Sequence, residues 1–139
     1  MGLYLDASVI VSLFISDAFS DRAESEAFGA DQELFVSDWA VLEVSSVVRK
    51  RARIGAISQE EALTLLADFD LWRAQSTTVA NVQAADIAAA NILVRRLDVV
   101  LRGPDAIHIA IVQRLGAHLL TFDKGMEKVA ASIGLRLTT

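Results

Sequence analysis

Four acidic residues stand out by where they fall: Asp6 after "LYL", Glu43 in "SDWAVLEVSS", Asp105 in "GPDAIHIAIV" and Asp123 after "HLLTF". Asp6 and Asp123 each close a short apolar run and precede a helical pattern. Asp105 opens a helix directly after Pro104, the only proline of the chain, and Glu43 falls in the second turn of another helix. Each has a structural reading of its own. Asp6 and Asp123 serve as helix caps. Asp105 complements the positive end of a helix dipole, and Glu43 pairs with Arg49 or Lys50 or is solvated. Together they have a chemical reading. Like charges brought to one place repel and raise each other's pKa unless a cation sits between them. Carboxylate oxygens are also the ligands that hard divalent cations prefer. A metal site explains such a gathering, and capping does not.

Other polar residues lie close by in the pattern. Ser8 and Thr121 flank the same acids, and their hydroxyls read as partners of water or phosphate at the site or as local backbone satisfiers. His108 stands one helical turn after Asp105, and His118 begins a strand. With oxygen ligands dominating, both are expected to pack or to support the acids, not to bind metal. The basic residues cluster in "RKRAR", Arg49 to Arg53, and in Arg95-Arg96. They read as cations at helix C-termini or as a phosphate track leading to the acids.

The elements that must position these residues alternate in kind. "LYLDASVIVSLFI" is a strand ending at Asp6 and then a helix from about Ala7. "DRAESEAFGA" is helical. "ELFVSDWAVLEVSSVVRKRARIG" gives a strand ending near Ser37 and a helix from about Trp39 to Arg53, closed by Gly55. "SQEEALTLLADFDLWR" starts with a capping box, Ser58 with Glu61, and "STTVAN" is a third, β-branched strand. The alanine-rich "VQAADIAAANILVRRL" is helical. Gly103 then caps a helix with Pro104 at its first position and Gly116 after its end. "HLLTFD" is a strand, "KGMEKVAASIG" a short helix and "LRL" a last strand. Apolar strands alternating with helices predict an α/β fold with a mostly parallel sheet covered on both faces and "LYLD" at its centre. The carboxyl ends of the strands then share one edge, where open α/β folds bind ligands. All four acids fall at or near that edge.

Composition bounds the rest. A chain of 139 residues with 53% hydrophobic content is expected to form one domain with a proper core. No apolar run approaches the ~18 residues of a membrane span, and "MGLYLDASVI" lacks the features of a signal peptide. Asp6 stands where a myristoylation signal needs Ser or Thr. The chain holds no cysteine and two histidines. Disulfides are therefore excluded, the same counts argue against a structural zinc site, and a reducing cytoplasm is the expected compartment. A formal net charge of −5 disfavours broad electrostatic binding of nucleic acid but suits carboxylates arranged around cations.

"LYLDASVIVSLFI", the Glu of "SDWAVLEVSSVVRK", "GPDAIHIAIVQRLGAHLLTFD" and "GMEKVAASIG" together resemble the PIN-domain nucleases, in particular the VapC-type toxin ribonucleases of prokaryotic toxin–antitoxin pairs. The resemblance spans nearly the whole chain. It implies a three-layer α/β/α sandwich and magnesium- or manganese-dependent hydrolysis of RNA. It assigns the acidic set to Asp6, Glu43, Asp105 and Asp123, with Asp6 and Asp123 as central ligands, and implies a homodimer and a small antitoxin partner. Rival chemistries fit less well. An aspartyl-nucleophile phosphatase needs a second Asp where Ser8 stands, and a phosphoacceptor domain needs an Asp at the end of "TTVAN". A catalytically inactive PIN-like binding or regulatory module is the other reading, against which the complete acidic set argues.

Overall fold

The computed structural model describes residues 2–29 and 31–138. Its strands are β1 (Leu3–Leu5), β2 (Leu34–Ser37), β3 (Thr78–Ala80) and β4 (His118–Leu120). Between and after them run α1 (Ala7–Phe14), α2 (Ser20–Phe28), α3 (Asp38–Arg53), α4 (Gln59–Ser76), α5 (Ala84–Val94), α6 (Gly103–Leu115) and α7 (Lys124–Ser132). The strands form one sheet in the order β3-β2-β1-β4, and every pairing is parallel. β1 is thus interior, as its unbroken apolar run predicts. Leu3 pairs with Leu34 on one side and with His118 on the other.

The two-residue period of the strands divides the core. Leu3, Leu5, Leu34, Val36 and Leu120 face a layer built on Val9 and Ile10 of α1, Ala23 of α2, Val44 and Val48 of α3 and Phe69 of α4. Tyr4 and Leu119 face the opposite layer of Ala90, Ile109, Val112, Met126 and Val129 from α5, α6 and α7. The result is the expected α/β/α sandwich. Among the described residues no helix is long and apolar enough to cross a membrane.

Local signals place most boundaries. Ser58 and Glu61 form their reciprocal capping box at the start of α4. Gly55 (φ 79°) and Gly116 (φ 65°) take the left-handed conformation that lets the chain leave α3 and α6. Three expectations need adjustment. The residue capping α6 is Arg102, so Gly103 and Pro104 both lie inside the first turn. "LRL" forms no strand: it meets β4, itself three residues long, through the single bridge Leu119–Leu137. The helical stretch "DRAESEAFGA" ends at Phe28, and its last residue, Ala30, lies outside the described residues.

Candidate active site

The parallel sheet sends the carboxyl ends of β1, β2 and β4 to one edge, and a cavity of about 380 Å³ opens there. Asp6, Glu43, Asp105 and Asp123 all line it, together with Ser8, Asp17, Arg51, Arg102 and His108. Thr121 is buried and supports the wall from behind.

Asp6 follows β1 and is buried. Its Oδ1 accepts from the Val9 amide at 3.2 Å and from Ser8 Oγ at 2.6 Å, and its Oδ2 accepts from Thr121 Oγ1 at 2.5 Å. Ser8 Oγ in turn accepts from the Phe122 amide, and Thr121 Oγ1 from the Asp123 amide. The two hydroxyls therefore lock the end of β1 to the end of β4 through one carboxylate. Burial pushes the Asp6 carboxyl above its ordinary range, opposed by those hydroxyls, by His108 and by the Val9 amide. Asp123 caps α7 with Oδ1, which accepts from the Met126 amide at 2.9 Å.

Asp105 lies in the first turn of α6, where Oδ2 accepts from Arg102 Nε at 3.4 Å. Its carboxyl is also raised, first by burial, with the nearby charges of Asp123 and Glu43 pushing the same way against Arg102. Asp105 therefore senses the charges of both other acids across the cavity.

Glu43 is held by a route that crosses the sheet. His108 Nε2 bonds Glu43 Oε1, and Nδ1 bonds Tyr4 Oη at 2.5 Å. Tyr4 Oη bonds Ser37 Oγ at 2.7 Å, and Ser37 Oγ accepts from the Ala40 amide at 3.0 Å. An amide can only donate. A consistent direction follows: Ala40 to Ser37, Ser37 to Tyr4, Tyr4 to Nδ1, and the Nε2 proton to Glu43. Burial above all holds the Tyr4 hydroxyl far above its ordinary pKa, so it keeps the proton this chain needs. His108 is itself buried and supports an acid, as its position among oxygen ligands suggests.

Sequence reasoning missed several residues here. Tyr4 carried a signal, since a buried tyrosine in an apolar strand needs a partner for its hydroxyl. Asp17, whose Oδ1 and Oδ2 accept from the Phe19 amide and Ser12 Oγ, lies in an irregular segment whose course no pattern shows. Arg102 belongs to a similar segment. Arg51 was visible only as one of a basic run.

The donor set fits a hard divalent cation. Among the described residues no three of these side chains form a closed ligand group, so the acids line the cavity walls without enclosing an ion by themselves. Yet Glu43 Oε2, Asp105 Oδ1 and Asp123 Oδ2 accept no hydrogen bond among the described residues. Capping and ligation are thus compatible, because one oxygen of Asp123 caps while the other stays uncommitted.

Comparison with known proteins identifies the family. Residues 3–132 match the sequence profile of the PIN domain. Ribonuclease VapC3 of Pyrobaculum aerophilum is 31% identical over 134 residues, covering 96% of this chain and 98% of its own. Two solved structures share the fold. VapC20 of Mycobacterium tuberculosis, a toxin that cleaves the sarcin-ricin loop, superposes with a TM-score of 0.73 at 18% identity, over 96% of this chain and 95% of its own. VapBC2 of Rickettsia felis, solved bound to a promoter DNA fragment, gives 0.72 at 14% identity, over 99% and 98%.

Proposed function

Because this chain belongs to the PIN-domain family, we propose that it is a single-domain endoribonuclease, the toxin of a toxin–antitoxin pair, hydrolysing RNA with magnesium or manganese. The observation that carries the reading is the cavity at the carboxyl edge, lined at once by Asp6, Glu43, Asp105 and Asp123. Full-length similarity to a ribonuclease supports the activity. The fold shared with VapBC2 supports a small antitoxin as partner, and a homodimer completes the proposed assembly.

The residues divide the work. Asp6 and Asp123 would offer carboxylate oxygens from the ends of adjacent strands, and Asp105 and Glu43 line the same cavity from α6 and α3. Bound there, divalent cations would neutralise phosphate charge and lower the pKa of the attacking water. Ser8 and Thr121 hold Asp6 rigid, and the imidazole of His108 fixes the Glu43 carboxylate. Rigid carboxylates need no reorganisation as charge develops, which is the condition for electrostatic catalysis. Arg51 and Arg102 line the same cavity and offer guanidinium groups to the polyanion. The set is complete, which favours an active enzyme over an inactive binding module.

Cleavage of a labelled RNA tests the proposal. Chelator should abolish cutting and added magnesium or manganese restore it. Asp6→Asn should slow it at least tenfold, a barrier rise of about 1.4 kcal/mol. Cleavage that survives both chelator and Asp6→Asn would sink the reading.

A further inference from the structure

A short aromatic stack stands beside the acidic cavity. Phe19, just before α2, stacks on Phe122 with ring centroids 5.4 Å apart and planes 24° apart. The Arg22 guanidinium lies over the Phe122 ring, 4.7 Å from its centroid. Both phenylalanines are anchored to the cavity wall. The Phe19 amide donates to Asp17 Oδ1 at 2.8 Å, and the Phe122 amide donates to Ser8 Oγ, which itself donates to Asp6. Phe122 is only partly buried, whereas Phe19 remains 49% exposed although its ring is backed by another.

We propose that Phe19 is a stacking platform for one unpaired RNA base next to the scissile phosphate. The inference rests on the ribonuclease reading and names the form of RNA that site takes. A large aromatic held at the surface loses little conformational freedom when a flat ligand covers it. Phe122, on which it stacks, fixes the ring plane, so the platform is already formed. Single-stranded RNA is recognised by stacking splayed bases on aromatic rings and arginine planes, whereas a paired base keeps its faces inside the helix. Such stacking tolerates every base, because each has a π face. The platform sits two residues from Asp17 and, through Phe122, one residue from Asp123, both of which line the acidic cavity. A base on Phe19 therefore places its nucleotide's phosphate toward the carboxylates. The preferred substrate is a loop or single strand with one base turned out beside the cut.

The test walks a single abasic nucleotide along an RNA that the full chain cuts, with magnesium present. For the wild type, one position should raise KM about tenfold with kcat within about twofold, the size of one base–aromatic stack. Phe19→Ala should raise KM similarly on intact RNA and show no further loss at that abasic position. Phe19→Tyr should behave as wild type and Phe19→Leu as Phe19→Ala, with thermal melts confirming that each variant is folded. An abasic effect of equal size in Phe19→Ala overturns the proposal. So does a fully active Phe19→Leu, or a Phe19→Ala variant impaired only in binding a partner protein. A chain that cuts no RNA at all overturns the ribonuclease reading first and this one with it.

Discussion

Asp105 is both a first-turn acid and a neighbour of two other carboxylates, and the two roles predict opposite effects of removing its charge. If it served only the helix dipole, Asp105→Asn would lower stability by ~0.3–1 kcal/mol with or without metal. The structure shows its carboxyl raised by burial and by Asp123 and Glu43, so in metal-free protein its ionised form opposes folding. The sign follows. A carboxylate whose folded pKa lies above the unfolded value destabilises the fold at pH above the folded pKa. That penalty lifts as pH falls through the folded value toward about 3.9, the ordinary value for Asp. In chelator near neutral pH, Asp105→Asn should melt no lower than wild type and should flatten the stability gained on mild acidification. With metal it should lose much of a shift that reaches about 2.7 kcal/mol at a hundredfold excess over the dissociation constant. Melts across pH, with chelator and with magnesium, distinguish the roles. A variant that melts lower in chelator and keeps its full metal shift would make Asp105 a cap alone.

At the scale of elements, α3 shows why a run of charge in sequence does not reveal what it does. Glu43, Val47 and Arg51 recur at four-residue spacing and line the acidic cavity together. Arg49, Lys50 and Arg53 turn to another groove with Ser45 and Ser46. The run "RKRAR" therefore divides between two surfaces, and its phosphate-track and dipole readings can be tested on different members. Arg51→Ala should reduce the salt slope of RNA binding by about 0.7, the loss of one phosphate contact to a single strand. Lys50→Ala with Arg53→Ala should leave the slope unchanged, and titration at several salt concentrations reads both. Equal loss in the two variants would return the whole run to nonspecific attraction. The same logic explains what was legible beforehand. β1 and its neighbours are continuous apolar runs, so the sheet, its centre and its carboxyl edge could be read directly, and with them the meeting place of the acids. Helix phase was harder, because which side of α3 faces the cavity depends on how Ala40, Val44 and Val48 dock on the sheet. Asp17 and Arg102 enter the site from irregular segments whose path is set by tertiary packing. Tyr4, His108 and Ser37 each obeyed a local rule, but the chain joining them spans 104 residues between Tyr4 and His108, a distance no periodicity can bridge.

At the scale of the whole molecule, the unexplained feature is apolar surface. α4 does expose Leu63 and Leu71, but Glu60, Asp68, Asp70 and Arg73 are interspersed along it. α5 is different. It buries Ala90 and Leu93, yet Ala84, Ala85, Ile87, Ala88, Ala89 and Ile92 are all exposed, and between Asp86 and Arg95 it carries no charge. Asp86 itself is buried against Arg114, with both carboxylate oxygens on the guanidinium at 2.9 and 3.0 Å. Just beyond the helix, Leu97 and Val100 are almost fully exposed. A helix apolar all round is a buried helix, and one side of α5 has no cover among the described residues. A second copy would supply it, since a symmetric interface sets the same patch against itself. The homodimer proposed above should therefore form through α5, and light scattering should report about twice the 15.0 kDa chain mass. Ile92→Asp would place two like charges near the dyad of such an interface and should yield monomer. Leu63→Asp on α4 should leave the dimer intact. Wild-type protein that stays monomeric at micromolar concentration, or a dimer that Leu63→Asp breaks and Ile92→Asp spares, would show that the uncovered side of α5 is not the seam.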